Sequence, residues 1–158
     1  MNAAVDSGKA EFLQKDFFHL LDQLQPTAKG KWGVMNGQEM IEHLIEVFRI
    51  ANGKLKIPLI NHGERLEKFR EFLFSEKQFR ENTKNPLLGE VPPSLIHPDK
   101  ETALIELRKE VDDFFRLFDK DSGLTTTNPI FGDLDYAGNI QLLHKHALHH
   151  LRQFNLIT

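Results

Sequence analysis

The chain has 158 residues, 40% apolar and 27% charged, a balance that fits one globular domain spanning 1–158 and excludes a disordered or fibrous polypeptide. Twenty Lys and Arg against 23 Asp and Glu leave a formal charge of -3, and no basic stripe with interleaved aromatics occurs, so nucleic acid is not expected as a partner. With no cysteine, disulfide scaffolds, thiolate nucleophiles and thiolate-held zinc or iron–sulfur centres are excluded, and any metal must be held by His, Asp, Glu or carbonyl oxygens.

Apolar residues spaced alternately three and four apart predict four long amphipathic helices. The first covers about Gly8 to Gln25, with Ala10, Leu13, Phe17, Leu20 and Leu24 on its apolar line, and is stopped by Pro26 and the Gly30–Gly33 region. The second begins at Asn36, a good N-cap residue, and aligns Met40, His43, Val47 and Ile50 before Gly53. From Gly53 to Pro98 the pattern loosens. Pro58, Pro86, Pro92, Pro93 and Pro98 forbid a long helix there, and only Glu64 to Phe74 predicts a short one, so this is a long crossover of the kind that is functional or wraps the domain.

The third helix opens at His97-Pro98-Asp99 and keeps Leu104, Leu107, Val111, Phe114 and Phe118 in register, closed by the Gly-, Thr- and Asn-rich stretch Asp121 to Gly132. The fourth runs from about Asp133–Asp135 to Phe154, with Ile140, Leu143, Ala147, His150 and Phe154 on its line and Tyr136 in register. No strand competes. Four such stripes cannot stay in water, and the architecture that buries them together is an all-α four-helix bundle with a long crossover between helices 2 and 3. No run approaches the roughly 18 apolar residues of a membrane span, and Met1 to Glu11 lacks a secretion signal, so a soluble cytoplasmic protein is expected.

Four of the eight histidines fall between Leu143 and Leu151. At about 100° per residue, His146 and His150 both point with the apolar line, one turn apart, whereas His144 and His149 fall at its edges and are expected near the surface. His43 occupies a core-facing position on the second helix. Three core-facing imidazoles on two helices leave donors and acceptors unsatisfied at about 1–3 kcal/mol each unless something resolves them, and a divalent metal resolves all three at once. A single core histidine bonded to a carbonyl would need no metal; the alignment of three favours His43, His146 and His150 as ligands. Glu46 and Glu39 flank His43 and are candidates for a nearby base, their plainer reading being solvated acids. His19, His62 and His97 sit in no motif and read as structural or exposed.

The string His146-Ala-Leu-His149-His150-Leu-Arg-Gln153-Phe154, with Trp32 to Met35 leading into Gln38-Glu-Met-Ile-Glu-His43-Leu44, resembles the DinB-like superfamily of four-helix bundles, known for DNA-damage-inducible bacterial genes. The resemblance spans nearly the whole chain. The stretches Ser75 to Pro86 and Asn128-Pro-Ile-Phe131-Gly132 are similar to a bacterial subgroup of unassigned activity. It implies that His43, His146 and His150 are metal ligands, that the metal is zinc or nickel, and that Gln153 orients a ligand or the helix end, with a surface amide as the plainer alternative. The alternative to a surface position for His144 and His149 is that one of them, with His149 the candidate, bonds a nearby acid or lines the mouth of the pocket. Characterised relatives include transferases and isomerases that use low-molecular-weight thiols such as bacillithiol or mycothiol, and bundles of this kind often pair as homodimers. This chain carries Asn139 where the subgroup often has a tryptophan, so its pocket need not share the subgroup's shape.

Two functions are open at this stage. One is a metal-dependent enzyme in which the ion activates a small thiol or water; the other is a non-catalytic stress-related bundle with a structural metal or polar core. A di-iron carboxylate site would need Glu-x-x-His pairs and a zincin would need His-Glu-x-x-His, and neither occurs.

Overall fold

The computed structural model describes residues 3–83 and 89–158, with side chains described from residue 7 onward; Pro86, one of the crossover prolines, lies outside the described residues. The chain is mostly helical. Its elements are α1 (Ala3–Gln14), α2 (Asp16–Asp22), α3 (Gly37–Ala51), α4 (Gly63–Phe74), α5 (Lys100–Lys120), β1 (Thr126–Asn128), β2 (Gly132–Leu134) and α6 (Tyr136–Gln153). No described helix is long and apolar enough to cross a membrane.

The first predicted helix is two. At Lys15 the amide is shared between the Glu11 carbonyl at 3.0 Å and that of Phe12 at 3.3 Å, and the chain restarts as α2. Within α2 two successive aromatics, Phe17 and Phe18, are both buried in the core. The other starts follow from their caps. Asn36 and Glu39 form a reciprocal capping box at α3, Asp99 accepts from the Thr102 amide at α5, and Asp135 accepts from the Gly138 amide at α6.

Helix α3 packs chiefly on α5, α1 on α6, and α3 also touches α6. One apolar cluster joins them, with Leu13, Phe17, Leu21, Met40, Ile41, Leu44, Phe48, Leu107, Phe114, Leu143 and Leu151 among its members. The line expected on α3 is displaced: Met40 is buried, but Val47 and Ile50 are half-buried, while Ile41, Leu44, Ile45, Phe48 and Ala51 carry the contact. Helix α3 faces two neighbours, so its buried stripe is wider than one heptad line. His43 lies on the flank that faces α6.

The stretch from Asp121 to Gly132, expected as a plain connection, contains strand β1, which pairs antiparallel with β2, Thr126 opposite Leu134 and Asn128 opposite Gly132. Asn128 Oδ1 accepts the amides of Ile130 and Phe131, and Gly132 takes φ +80°, so the turn is set by local chemistry rather than by apolar alternation. Asn139 anchors it: its Nδ2 donates to Thr126 Oγ1 at 3.0 Å and to the Leu134 carbonyl at 3.1 Å, and Thr126 in turn donates to the Ala51 carbonyl. Asn139 therefore ties the hairpin to the end of α3.

The crossover wraps the domain. Its helix α4 follows the expected Glu64–Phe74 span, and Leu73 joins Phe131, Leu134 and Leu142 in a second apolar cluster beside α6. At its far end Glu42 of α3 accepts the amides of Ile96 and His97 at 2.8 and 3.0 Å, and His97 Nδ1 lies 3.3 Å from the same carboxylate. Burial raises the Glu42 pKa, but those two amides, the His97 ring and the Gln38 side chain outweigh it and hold the carboxyl below its usual range. His97 is thus a structural clasp.

Candidate metal centre

The caps fix helical phase, and helical phase fixes the site. With α3 starting at Asn36 and α6 at Asp135, His43 faces the turn of α6 that carries His146 and His150. The Nε2 atoms of His43 and His146 are 3.3 Å apart, those of His146 and His150 are 2.9 Å apart, and one ligand atom from each of the three lies within 4.8 Å of the others. Four ligands at about 2.0–2.1 Å around a tetrahedral zinc stand roughly 3.3 Å from one another, so the three nitrogens lie close enough together to hold one ion.

Their protonation suits the same role. Burial pushes the His43 pKa down to about 4, helped by the positive form of His149; His146 is held well below the usual value by burial and then by His43 and His149, and His150 by burial and then by His146 and His43, against the hydrogen bond to Gln153. All three are neutral at pH 7 and offer lone pairs. His150 is buried, while His43 and His146 are half-buried.

Gln153 sets the orientation of His150. The Trp32 carbonyl can only accept, so the Gln153 Nε2 that meets it at 2.8 Å is the donor end; Oε1 then faces His150 Nδ1 at 2.7 Å and accepts its proton. That leaves Nε2 of His150 as the bare nitrogen, aimed at the other two rings. The loop around Gln153 is built for this contact. A Cβ on Gly30 would lie 2.8 Å from Gln153 Cγ, one on Gly33 (φ +77°) would lie 2.9 Å from its Nε2, and Lys31 donates its amide to the Gln153 carbonyl at 2.7 Å. Gln153 is 2% exposed and is not the surface amide of the plainer alternative.

The two histidines expected at the surface are not there. His149 is buried, its ring 5.3 Å from that of Trp32, 5.6 Å from Phe79 and 5.1 Å from His150; His144 is half-buried, edge-on to Phe12 at 5.3 Å. The physical reason is that α6 is covered on several sides, by α1 near His144 and by the Trp32 loop and the crossover near His149, so its edges are also interior. Burial, with Arg152 nearby, lowers the His149 pKa to about 4 against an opposing hydrogen bond to the Phe79 backbone, and burial with Lys9 lowers that of His144 to about 4.

Glu46 is exposed and makes no hydrogen bond to the cluster among the described residues, and Glu39 is occupied by the α3 cap, so the structure places neither acid on the three histidines. His19 and His62 are exposed.

Sequence reasoning missed the groups that surround the cluster. Phe79 from the crossover sits 5.8 Å from the His146 ring and forms a wall. It is held by α6: Lys145 Nζ donates to the Ser75 carbonyl at 3.0 Å and also to that of Lys77, and Gln141 Nε2 donates to the Leu73 carbonyl at 3.0 Å. The readable signal was a lysine and a glutamine on a helix otherwise dense with buried residues. Two cavities, about 350 Å³ beside Arg70 and Phe74 and about 530 Å³ beside Phe18 and Arg108, include none of the clustered histidines. No protein-family model matches the chain, and no curated protein or solved structure matches it significantly.

Proposed function

We propose that the chain is a metal-dependent enzyme of the DinB-like four-helix-bundle type, with zinc or nickel held by His43, His146 and His150 and a small-molecule thiol as substrate. The observation that carries this reading is the convergence of three neutral Nε2 atoms, one of them aimed by the Gln153–Trp32 relay. The packing of α3 on α5 and of α1 on α6 supports a bundle. A three-imidazole set is the pattern of catalytic rather than structural zinc sites.

A divalent ion in that set supplies a Lewis acid that lowers the pKa of a bound thiol or water toward neutrality. The protein's own residues do the rest. Gln153 keeps the Nδ1 proton on His150 and so prevents the ring from turning its donor inward. Phe79 and Trp32 flank His149 and exclude water from that side, which strengthens electrostatic contacts in the site. Lys145 and Gln141 hold the crossover so that Phe79 stays in place.

One observation favours a second reading. The 2.9 Å between His146 and His150 is also hydrogen-bond length, so the cluster can be satisfied as a polar core in a non-catalytic protein. Assays of thiol conjugation and isomerisation with assorted electrophiles, with and without a chelator, separate the two: chelator-sensitive turnover with a cellular thiol is expected, and failure with every cellular thiol refutes the transferase or isomerase reading. The reading also includes a cytoplasmic homodimer with no nucleic-acid partner, for which light scattering would give twice the chain mass and a monomer would contradict it.

A further inference from the structure

Three buried side chains of α6 stand four residues apart and all bond the same neighbouring segment. Gln141 Nε2 donates to the Leu73 carbonyl at 3.0 Å and to that of Ser75 at 3.3 Å, Lys145 Nζ donates to the Ser75 carbonyl at 3.0 Å and to that of Lys77, and the His149 ring hydrogen-bonds the Phe79 backbone. Each of the three is 7% exposed or less. Their partners fall at every second residue from Leu73 to Phe79, in a chain that leaves α4 at Ser75 with extended backbone, ψ 170°. Four residues of helix advance about 6 Å and two of extended chain about 6.6 Å, so the two runs keep step. The next residue on the same helix line, Gln153, is the one that orients His150.

On its other side this segment faces water. Glu76, Lys77 and Gln78 are exposed, and residues 76–79 make no backbone–backbone hydrogen bond among the described residues. A segment fastened by side chains opens at lower free energy than a helix or strand, whose backbone bonds break cooperatively. Its inward group is Phe79, half-buried, with its ring 5.8 Å from that of His146 and 5.6 Å from that of His149. The same ring meets Phe72 at 5.2 Å and Phe131 at 6.4 Å, an apolar seat that fixes where it lies when the segment is down.

The geometry points to a strap: segment 75–79 is a releasable cover of the three-histidine centre, zipped to α6 by Gln141, Lys145 and His149, and small species reach the imidazoles when it unzips. Lys145 is the main fastener, because its bonds to two carbonyls are charge-assisted. Phe79 is the part that blocks. These are positioning residues, and none of them bonds an ion or a substrate. The inference deepens the metal-centre reading and rests on it for what the cover guards.

The test measures access to the centre in the wild type, Lys145→Met and Phe79→Ala. In the metal-free protein at pH 7, carbethoxylation of His146 and His150 by diethylpyrocarbonate is located by tandem mass spectrometry. It is expected to run about tenfold faster in both variants, the effect on an opening equilibrium of one charge-assisted hydrogen bond or one apolar wall. His144, which packs on Phe12 of α1 and not on the strap, should react at the wild-type rate in all three proteins. In the cobalt(II)-loaded protein, uptake and chelator-driven release should quicken together by about tenfold while the Kd stays within about threefold, because a gate changes rates in both directions. Phe79→Ala leaves the ladder intact and keeps the strap testable if Lys145→Met folds poorly. Labelling of His146 and His150 at the wild-type rate in either folded variant, His144 quickening in step with them, or release that quickens without uptake, overturns the strap. Should the protein take up no cobalt, the metal reading fails by itself and the labelling decides: selective quickening supports the cover, and equal rates overturn it.

Discussion

Gln153→Leu isolates the relay that orients His150. The substitution removes an acceptor from His150 Nδ1 and a donor from the Trp32 carbonyl, both at 2% exposure of the glutamine, and leaves two buried polar groups without partners. At about 1–3 kcal/mol for each orphaned group, the metal-free protein should lose roughly 2–6 kcal/mol, the lower half if the Gly30–Gly33 loop relaxes to admit water. Metal affinity should fall by about 10- to 100-fold, the usual effect of deleting a partner that fixes a ligand's tautomer. Urea denaturation of the chelated protein gives the first quantity and competition with a chromophoric chelator the second. Because both are measured, general destabilisation can be told from a specific effect: a variant that loses stability but binds metal as the wild type does would refute the claim that Gln153 aims His150.

Three other outcomes follow from the same geometry. In the chelated protein, His43, His144 and His149 have folded pKa values near 4, below the unfolded value of about 6.5; their contribution is therefore present above pH 6.5 and lost as pH falls toward 4. Urea midpoints should drop steeply across that window, and a flat profile from pH 6.5 to 4 would contradict the burial of these rings. Lys145→Met frees the Ser75 and Lys77 carbonyls, so amide exchange over residues 75–79 should quicken by at least tenfold with little change in α3; unchanged exchange would mean that Lys145 does not hold the crossover. Glu110 is 1% exposed and accepts from Arg49, Asn52 and Lys54, so Glu110→Leu should cost about 2–4 kcal/mol in thermal or urea unfolding, and a neutral effect would contradict a structural role for the network.

The helix starts were legible because they depend on neighbours in sequence: Asn36 and Asp135 cap the helices they precede, and the turn spacing of His146 and His150 follows from the helix itself. The pairing of these two with His43 could be guessed from their shared core-facing phase. What failed had a common cause. A single apolar line assigns each helix one neighbour, whereas α6 meets α1, α3, α4 and the hairpin, so His144, His149, Gln141 and Lys145 are partly or wholly interior despite their polar character. Glu46 looked close to His43 on the helical wheel, but the intervening angle carries it to solvent. The hairpin escaped notice because Thr126–Asn128 and Gly132–Leu134 are too short to show alternation and are held by Asn139, which lies in another element. Phe79 and Trp32 reach the cluster from loops, and no local pattern announces that.

The most direct test of the centre is elemental analysis of protein purified without an affinity tag, run beside His43→Ala. The account predicts about one zinc or nickel per wild-type chain and its loss in the variant. Equal metal in both proteins, or none in the wild type after reconstitution, would contradict it.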